Sequence, residues 1–148
     1  MARLTIATSD ISGAGTDANI AVVIFGSNGQ YCTNFSWLDN PGDDFESGSI
    51  GVYDVNLFYI TDVKGMLIYN SGGGSGPDWH VAWIRLEDPS INVDVFAEAN
   101  EWIKSGWQYR VNLKPASQAW NNNIVIPQEV LARTPRPAVI RSNVSPAS

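Results

Sequence analysis

The apolar residues of this chain lie in short segments about ten residues apart, with glycine, proline, asparagine and aspartate between them. Several segments alternate apolar and polar residues, which is the period of a strand with one buried face, and residues 49–58 are a clear case. One helical turn is expected at 100–104, but no amphipathic helix. Eight such segments predict an all-β fold, an antiparallel β-sandwich of two four-stranded sheets.

The length of 148 residues corresponds to one domain with an appended tail. Residues 1–114 hold all eight predicted strands and form the predicted sandwich domain. Residues 115–148 contain a run of three asparagines, four prolines beyond Pro115 and one apolar run, Ile124, Val125 and Ile126. This segment is predicted to be an extended tail with a short strand or docking segment.

The charge is negative and unevenly distributed. The net charge is −6, which argues against nucleic acid as a partner because neutralising phosphates requires an excess of lysine and arginine. Residues 1–114 hold 14 acids and 6 bases, whereas the tail holds three arginines and one glutamate. This asymmetry suggests that the tail docks onto an acidic neighbour, as in a homo- or hetero-oligomer.

Cys32 is the single cysteine, so the chain forms no internal disulfide and no cysteine-based zinc site. No basic segment followed by an apolar run marks a secretory signal at the start. These features predict a cytoplasmic protein, either peripheral to a membrane or part of an assembly.

The glycine-rich loop at residues 13–19 concentrates oxygen donors. Two glycines permit a sharply bent backbone, and Thr16, Asp17 and Asn19 bring three oxygen-bearing side chains together. Such a loop suits a hard cation such as calcium, which binds six to eight oxygens. The alternative is a turn whose polar side chains cap its own backbone.

Three motifs in the first 114 residues resemble those of the PLAT or LH2 (lipoxygenase-homology) family. Residues 13–19 read Gly-Ala-Gly-Thr-Asp-Ala-Asn, residues 45–48 give a Phe-x-x-Gly turn, and residues 76–79 give Gly-Pro-Asp-Trp. One departure concerns Tyr69 and Asn70, which stand where many relatives carry His-Asp. The resemblance covers about residues 3–113 and leaves the tail without a counterpart.

The resemblance implies a non-catalytic two-sheet sandwich that targets a protein to membranes or partners, in several members with calcium bound in the loops at one end. Backbone carbonyls would come from Gly15 and Thr16, and side-chain oxygens from Asp17 and Asn19. The acidic loop at 39–46 adds further candidates, and the alternative is that this loop is simply a solvated acidic surface. Its two leading candidates are Asp39 and Asp44.

Trp37 borders the acidic loop and is the predicted exposed membrane anchor, since indole favours the lipid interface. Trp79 is a second candidate contact residue, although it lies four positions from Trp83 on a strand and such residues usually belong to the core. Because the domain is acidic, binding to anionic lipid is expected to depend on calcium.

The chain is predicted not to be an enzyme. His80 is the sole histidine, and the Gly-x-Ser-x-Gly elbow of a serine hydrolase is missing from the sequence. The leading hypothesis is a binding module that engages a lipid surface or protein partner with calcium. The alternatives are a structural subunit whose tail docks Ile124, Val125 and Ile126 onto a neighbour, and a carbohydrate-binding sandwich.

Overall fold

The computed structural model describes residues 2–16, 18–27, 35–38, 45–72 and 78–116, together with the backbone of 136–137 and 139–141. The described residues form strands and one short 3₁₀ turn, Pro89–Ile91. The strands are, in order, β1 Ala2–Thr8, β2 Ile20–Gly26, β3 Phe35–Trp37, β4 Ile50–Val55, β5 Val63–Asn70, β6 Trp79–Asp88, β7 Val93–Ile103, β8 Gln108–Asn112, β9 Lys114–Pro115, β10 Arg136–Pro137 and β11 Val139–Arg141.

Two sheets pack face to face. The first has the order β10-β4-β1-β6-β7-β9 and the second has the order β11-β3-β2-β5-β8. The predicted all-β antiparallel sandwich is confirmed, and eight of these strands form a four-stranded centre in each sheet. The short strands β9, β10 and β11 extend the edges, and β10 pairs with β4 in parallel orientation.

The core lies between the sheets and follows the two-residue period of the strands. Leu4 and Ile6 point inward from β1, and Ile20, Val22 and Ile24 point inward from β2. Residues between them in sequence, such as Thr5 and Ala7, therefore lie on the outer face of their sheet. This assignment of faces decides which side chains reach solvent at the surface of the sandwich.

The prediction of a helical turn at 100–104 is wrong, because β7 continues as a strand to Ile103. Glu98 and Glu101 of β7 pair with Trp83 and Val81 of β6, so β7 carries one extra residue at this point. Asn100 adopts a left-handed conformation with φ of 48°, which a β-bulge accommodates. A local bend in a strand was thus mistaken for the start of a helix.

A second irregularity, in β6, separates Trp79 from Trp83. Along β1, Ala7 pairs with Trp83 and the next residue, Thr8, pairs with Val81, so β6 also has an extra residue here. Trp79 belongs to the core between the sheets, whereas Trp83 lies in a separate cluster on the outer face. The expectation that both tryptophans share one face is wrong, since a one-residue bulge reverses the alternation.

The tail contributes strands to its own domain. β10 pairs with β4 at one edge of the first sheet, and β11 pairs with β3 at the corresponding edge of the second sheet. These short strands add to the edges of the sandwich itself. Ile124, Val125 and Ile126 lie outside the described residues, and their predicted role as a contact segment stays a prediction.

The pairing registers bring four connections together at one end of the sandwich, here called the loop end. They are the connections β1–β2 (9–19), β3–β4 (38–49), β5–β6 (71–78) and β7–β8 (104–107). The connections β4–β5 (56–62) and β6–β7 (89–92) lie at the opposite end. All of the sequence motifs noted above contribute to the loop end.

Candidate functional site at the loop end

The glycine-rich loop is fixed to two neighbouring segments through its backbone. The His80 amide donates a hydrogen bond to the Ala14 carbonyl at 3.0 Å, and the Thr16 amide donates to the Phe45 carbonyl at 2.9 Å. Ala14 is fully buried between these contacts. The loop is therefore positioned by the start of β6 on one side and by the β3–β4 connection on the other.

Gly15 is required by this close packing. A Cβ atom at this position would lie 2.8 Å from the Phe45 carbonyl oxygen and 3.0 Å from the Ser47 amide nitrogen, closer than real contacts allow. A glycine can bring two backbones this close together because it has no side chain. Gly15, the second glycine of the motif, thus has a packing role that does not depend on a bound ligand.

Thr16 turns its side chain into the loop. Its Oγ1 accepts a hydrogen bond from the Ala18 amide at 3.1 Å, and the residue is buried. This is the self-capping turn that the sequence left open as an alternative to a cation site. The turn and a cation site are compatible, because the metal role predicted for Gly15 and Thr16 uses their backbone carbonyls.

The predicted calcium ligands are only partly covered by the described residues. Asn19 is exposed at the loop end, as a side-chain ligand requires. Asp17, Asp39 and Asp44 lie outside the described residues. Within the described ranges, no group of three or more histidine, cysteine or acidic side chains is placed to hold a metal. The calcium site thus stays a prediction whose acidic ligands would come from those three aspartates.

Asn70 organises the loop end from inside the protein. This fully buried amide donates from Nδ2 to the Ile103 carbonyl at 2.9 Å and accepts a bond from the Gly72 amide at 2.9 Å. Its backbone also pairs with Trp107 and Gly106. An aspartate here would lack the donor for Ile103, so asparagine is matched to this structural position.

Asp78 joins two connections at the same end. Its Oδ1 accepts a hydrogen bond from the Ser105 amide at 3.0 Å. Gly72, with φ of 75°, packs so tightly on the Ser105 hydroxyl that a Cβ atom would overlap it. These contacts fix the β7–β8 connection, which carries Trp107, against the described parts of the β5–β6 connection.

The exposure predicted for Trp37 is wrong, whereas Trp79 lies in the core, as its position on a strand favoured. Trp79 is 0% exposed, its Nε1 donates to Thr8 Oγ1 at 2.8 Å, and its ring lies 4.8 Å from that of Phe45. Trp37 is 8% exposed and packs edge-to-face on Tyr69, with ring centroids 6.1 Å apart. Both indoles contribute to packing, because spacing along a strand fixes which residues share a face but not which face is buried.

Two other apolar side chains are exposed at the loop end. Trp107 is 51% exposed in the β7–β8 connection, and Ile11 is 47% exposed in the β1–β2 connection. The Lys104 ammonium lies 5.5 Å from the centre of the Trp107 ring. Sequence reasoning missed both residues, although Trp107 directly follows a Ser-Gly turn between two strands, which is a position typical of exposed loops.

His80 is half-buried and satisfied by its surroundings. Its Nδ1 lies 2.6 Å from Ser9 Oγ, and its ring packs edge-on against Trp102 at 4.9 Å between centroids. Its backbone amide and carbonyl also bond to the β1–β2 connection. This environment agrees with the structural role expected for the histidine.

Tyr109 lies at the start of β8, close to the loop end. Burial raises the pKa of its phenol above 10.0, and the negative charge of Glu101 raises it further. Both effects disfavour the phenolate. The hydroxyl therefore stays protonated to a higher pH in the folded chain than in the unfolded chain.

Comparison with protein families gives a match to the PLAT/LH2 domain over residues 2–114. The mouse lipoxygenase homology domain-containing protein 1 is 30% identical over 103 residues, which cover 68% of this chain and 5% of that protein. Phospholipase C of Clostridium haemolyticum is 31% identical over 119 residues, covering 75% of this chain and 28% of that protein. The chain thus spans only a small part of these relatives.

Solved structures give the same result for the fold. Coral 8R-lipoxygenase, described as showing calcium activation via a C2-like domain, superposes with a TM-score of 0.65 and 28% identity over 77% of this chain and 16% of that chain. The alpha-toxin of Clostridium perfringens superposes with a TM-score of 0.58 and 29% identity, over 76% and 30% of the two chains.

Proposed function

Because the chain belongs to the PLAT/LH2 domain family, we propose that it is a non-catalytic module whose loop end binds a lipid surface in the presence of calcium. The observation that carries this proposal is the pair of exposed apolar side chains, Ile11 and Trp107, at the end that also holds the glycine-rich motif. Tryptophan at such a position gains free energy by entering the interfacial region of a bilayer.

The rigidity of the loop end supports this role. The Ile11 carbonyl accepts hydrogen bonds from the Ala14 amide of its own connection and from the Ser47 hydroxyl of the β3–β4 connection. The Trp107 carbonyl accepts a bond from the Asn70 amide of β5, and the Trp107 amide donates to the Lys104 carbonyl within the same connection. A preformed apolar contact surface loses little conformational entropy when it binds. Lys104 beside Trp107 also provides a positive charge at the level of lipid phosphates.

Calcium resolves an electrostatic conflict in this proposal. Residues 1–114 hold eight more acids than bases, so the domain is repelled by an anionic membrane. Asp10 and Glu46 are exposed at the loop end, and Asp17, Asp39 and Asp44 belong to the same connections. A hard cation held by these oxygens would neutralise the contact face and let lipid phosphates approach.

We propose that the ligand is an anionic phospholipid headgroup. The alternative is a protein partner at the same face, and the experiment described next distinguishes the two. The matched relatives are much longer than this chain. None of the helical segments within the described ranges is long and apolar enough to cross a membrane. Contact through exposed loops needs no such segment.

Flotation with vesicles of phosphatidylserine and phosphatidylcholine tests the proposal. Wild-type protein should float with the vesicles in calcium and stay unbound in chelator. Trp107→Ala should weaken calcium-dependent binding roughly tenfold, since burial of an indole contributes on the order of 1–3 kcal/mol. Tyr59→Ala is the matched control, because Tyr59 is 59% exposed at the opposite end.

Three results would contradict the proposal. Equal binding with calcium and with chelator would exclude a calcium-dependent contact. An equal loss of binding in the Trp107 and Tyr59 variants would show that the loop end has no special part. If the protein binds calcium but never binds vesicles, the face serves a protein partner and the lipid proposal is wrong.

A further inference from the structure

The outer face of the first sheet contains a row of buried side chains, here called the outer strip. It consists of Thr5, Ala7, Val52, Trp83 and Phe96, each no more than 8% exposed. The outer face of an antiparallel sheet in a sandwich usually contacts water. Since these residues point away from the core between the sheets, some other part of the protein has to cover them.

The outer strip runs across the sheet rather than along one strand. Val52 on β4 lies opposite Thr5 on β1, Thr5 lies opposite Arg85 on β6, and Arg85 lies opposite Phe96 on β7. Trp83 stacks on Phe96 with ring centroids 5.8 Å apart. The covered region therefore extends over four neighbouring strands, which a single exposed side chain could not shield.

Arg85 lies within this row, between Thr5 and Phe96, and brings a charged group into it. Its Nε and one terminal nitrogen donate to the Asp94 carboxylate at 3.0 and 2.9 Å. This bond, with the nearby Glu87 carboxylate, raises the pKa of the guanidinium. The guanidinium is thus held on Asp94 beside the strip.

The chain leaves one edge of this sheet and returns at the opposite edge. β9 pairs with β7 and ends at Pro115, and Ala116, the next residue, is buried against Trp83 and Phe96. β10 pairs with β4 at the far edge and begins at Arg136. The segment between β9 and β10 therefore starts beside the outer strip at the β7 edge of the sheet. It ends at the opposite edge, beside β4.

The dimensions allow a direct crossing. Six strands at about 4.8 Å spacing span roughly 24 Å from edge to edge. A segment of about 20 residues reaches roughly 66 Å when fully extended, so the length is ample. The segment also brings apolar side chains that could cover the strip, among them Trp120, Ile124 and Ile126.

We propose that residues 117–135 bind across the outer strip of their own chain, so that this face of the sandwich is an intramolecular docking surface. The tail strands β10 and β11 then fix the far end of the segment at the edges of both sheets. This inference is independent of the calcium and lipid proposal.

Cysteine labelling in the full-length chain tests the proposal. In a Cys32→Ser background, Thr5→Cys places a thiol of nearly unchanged size within the strip, and Glu98→Cys places one at an exposed site on the same face. Reaction with a maleimide should be at least about tenfold slower at position 5 than at position 98, as expected for a site that reacts only on local opening.

Adding Ile124→Asp and Ile126→Asp should raise the rate at position 5 to within a few fold of that at position 98, because charged side chains bind poorly to an apolar strip. The rate at position 98 should not change. If position 5 reacts rapidly in the chain with the native segment, or stays protected in the aspartate variant, the proposal is wrong.

Photo-cross-linking provides a measurement that leaves the segment unaltered. A benzophenone maleimide on Glu98→Cys should form cross-links to residues 117–135 within a product of single-chain mass. Cross-links between two chains, with a dimer mass in solution, would mean that a second copy covers the strip. Cross-links confined to other regions would also overturn the proposal.

Discussion

Asn70 illustrates how much a single buried amide contributes at the loop end. From the sequence it could be interpreted only as a missing acid at a position where many relatives carry aspartate. The structure gives it two hydrogen bonds through its side chain and two through its backbone, to three different segments. The bonds to Ile103, Gly106 and Trp107 have no signature in the chain because these partners are distant in sequence, whereas the bond from the Gly72 amide is a local turn two residues on.

We expect Asn70→Asp to lower the free energy of unfolding by about 2–4 kcal/mol, since the carboxylate is buried without the donor for the Ile103 carbonyl. Urea unfolding measures the change. Asn112→Asp, at an exposed position of β8, is the control and should change stability by no more than about 0.5 kcal/mol. Equal effects of the two substitutions would contradict the structural role of Asn70.

Gly15→Ala should destabilise the fold by at least about 1 kcal/mol, because the added methyl group meets the backbone at Phe45 and Ser47. The loss should be the same with calcium and with chelator if the glycine acts through packing. Thermal unfolding under both conditions provides the measurement. A loss seen only in calcium would assign the residue to the metal site instead.

The raised pKa of Tyr109 predicts that the stability of the fold depends on pH in the alkaline range. Its pKa is raised in the folded chain, so its contribution is fully present below the unfolded value near 10 and is lost as the pH rises through the folded value. Tyr109→Phe should therefore lose less stability than wild type between pH 8 and about pH 11. The difference is expected to be small because the ring is partly solvated, and an unchanged pH profile would contradict it.

At the scale of elements, local patterns predicted most of the fold. Alternation located the eight central strands, and the glycine-rich and Pro-Asp-Trp motifs identified the loops that meet at one end. The β-bulges in β6 and β7 could not be predicted, since an extra residue shows only in the pairing with the neighbouring strand. Trp37 was predicted at the surface and Trp107 was not recognised as exposed, because exposure is decided by how the sheets pack and not by spacing along the chain.

The tail strands give a prediction for hydrogen exchange. Backbone amides within residues 136–141 should exchange more slowly than expected for an unstructured chain, because β10 and β11 pair with β4 and β3. Mass spectrometry of the full-length protein measures this, with the same peptide in denaturant as reference. Exchange at the unstructured rate would exclude both strand pairings.

The whole molecule is a sandwich with two surfaces for which we propose separate roles. The loop end has exposed apolar side chains and acidic connections, whereas the outer face of the first sheet has a buried apolar strip at which the tail begins. The sequence pointed to the loop end through its glycine-rich motif, and the charge asymmetry suggested only that the tail docks onto an acidic neighbour. The strip on the outer face was not predicted, because it does not exist until the strands are paired.

We propose that calcium and an anionic lipid surface bind together at the loop end. Calorimetric titration of calcium in the presence and absence of phosphatidylserine vesicles tests it most directly. Since coupling between two ligands is reciprocal, vesicles should tighten calcium binding by the same factor by which calcium tightens vesicle binding. A calcium affinity unchanged by vesicles, or no calcium binding at millimolar concentration, would contradict the claim.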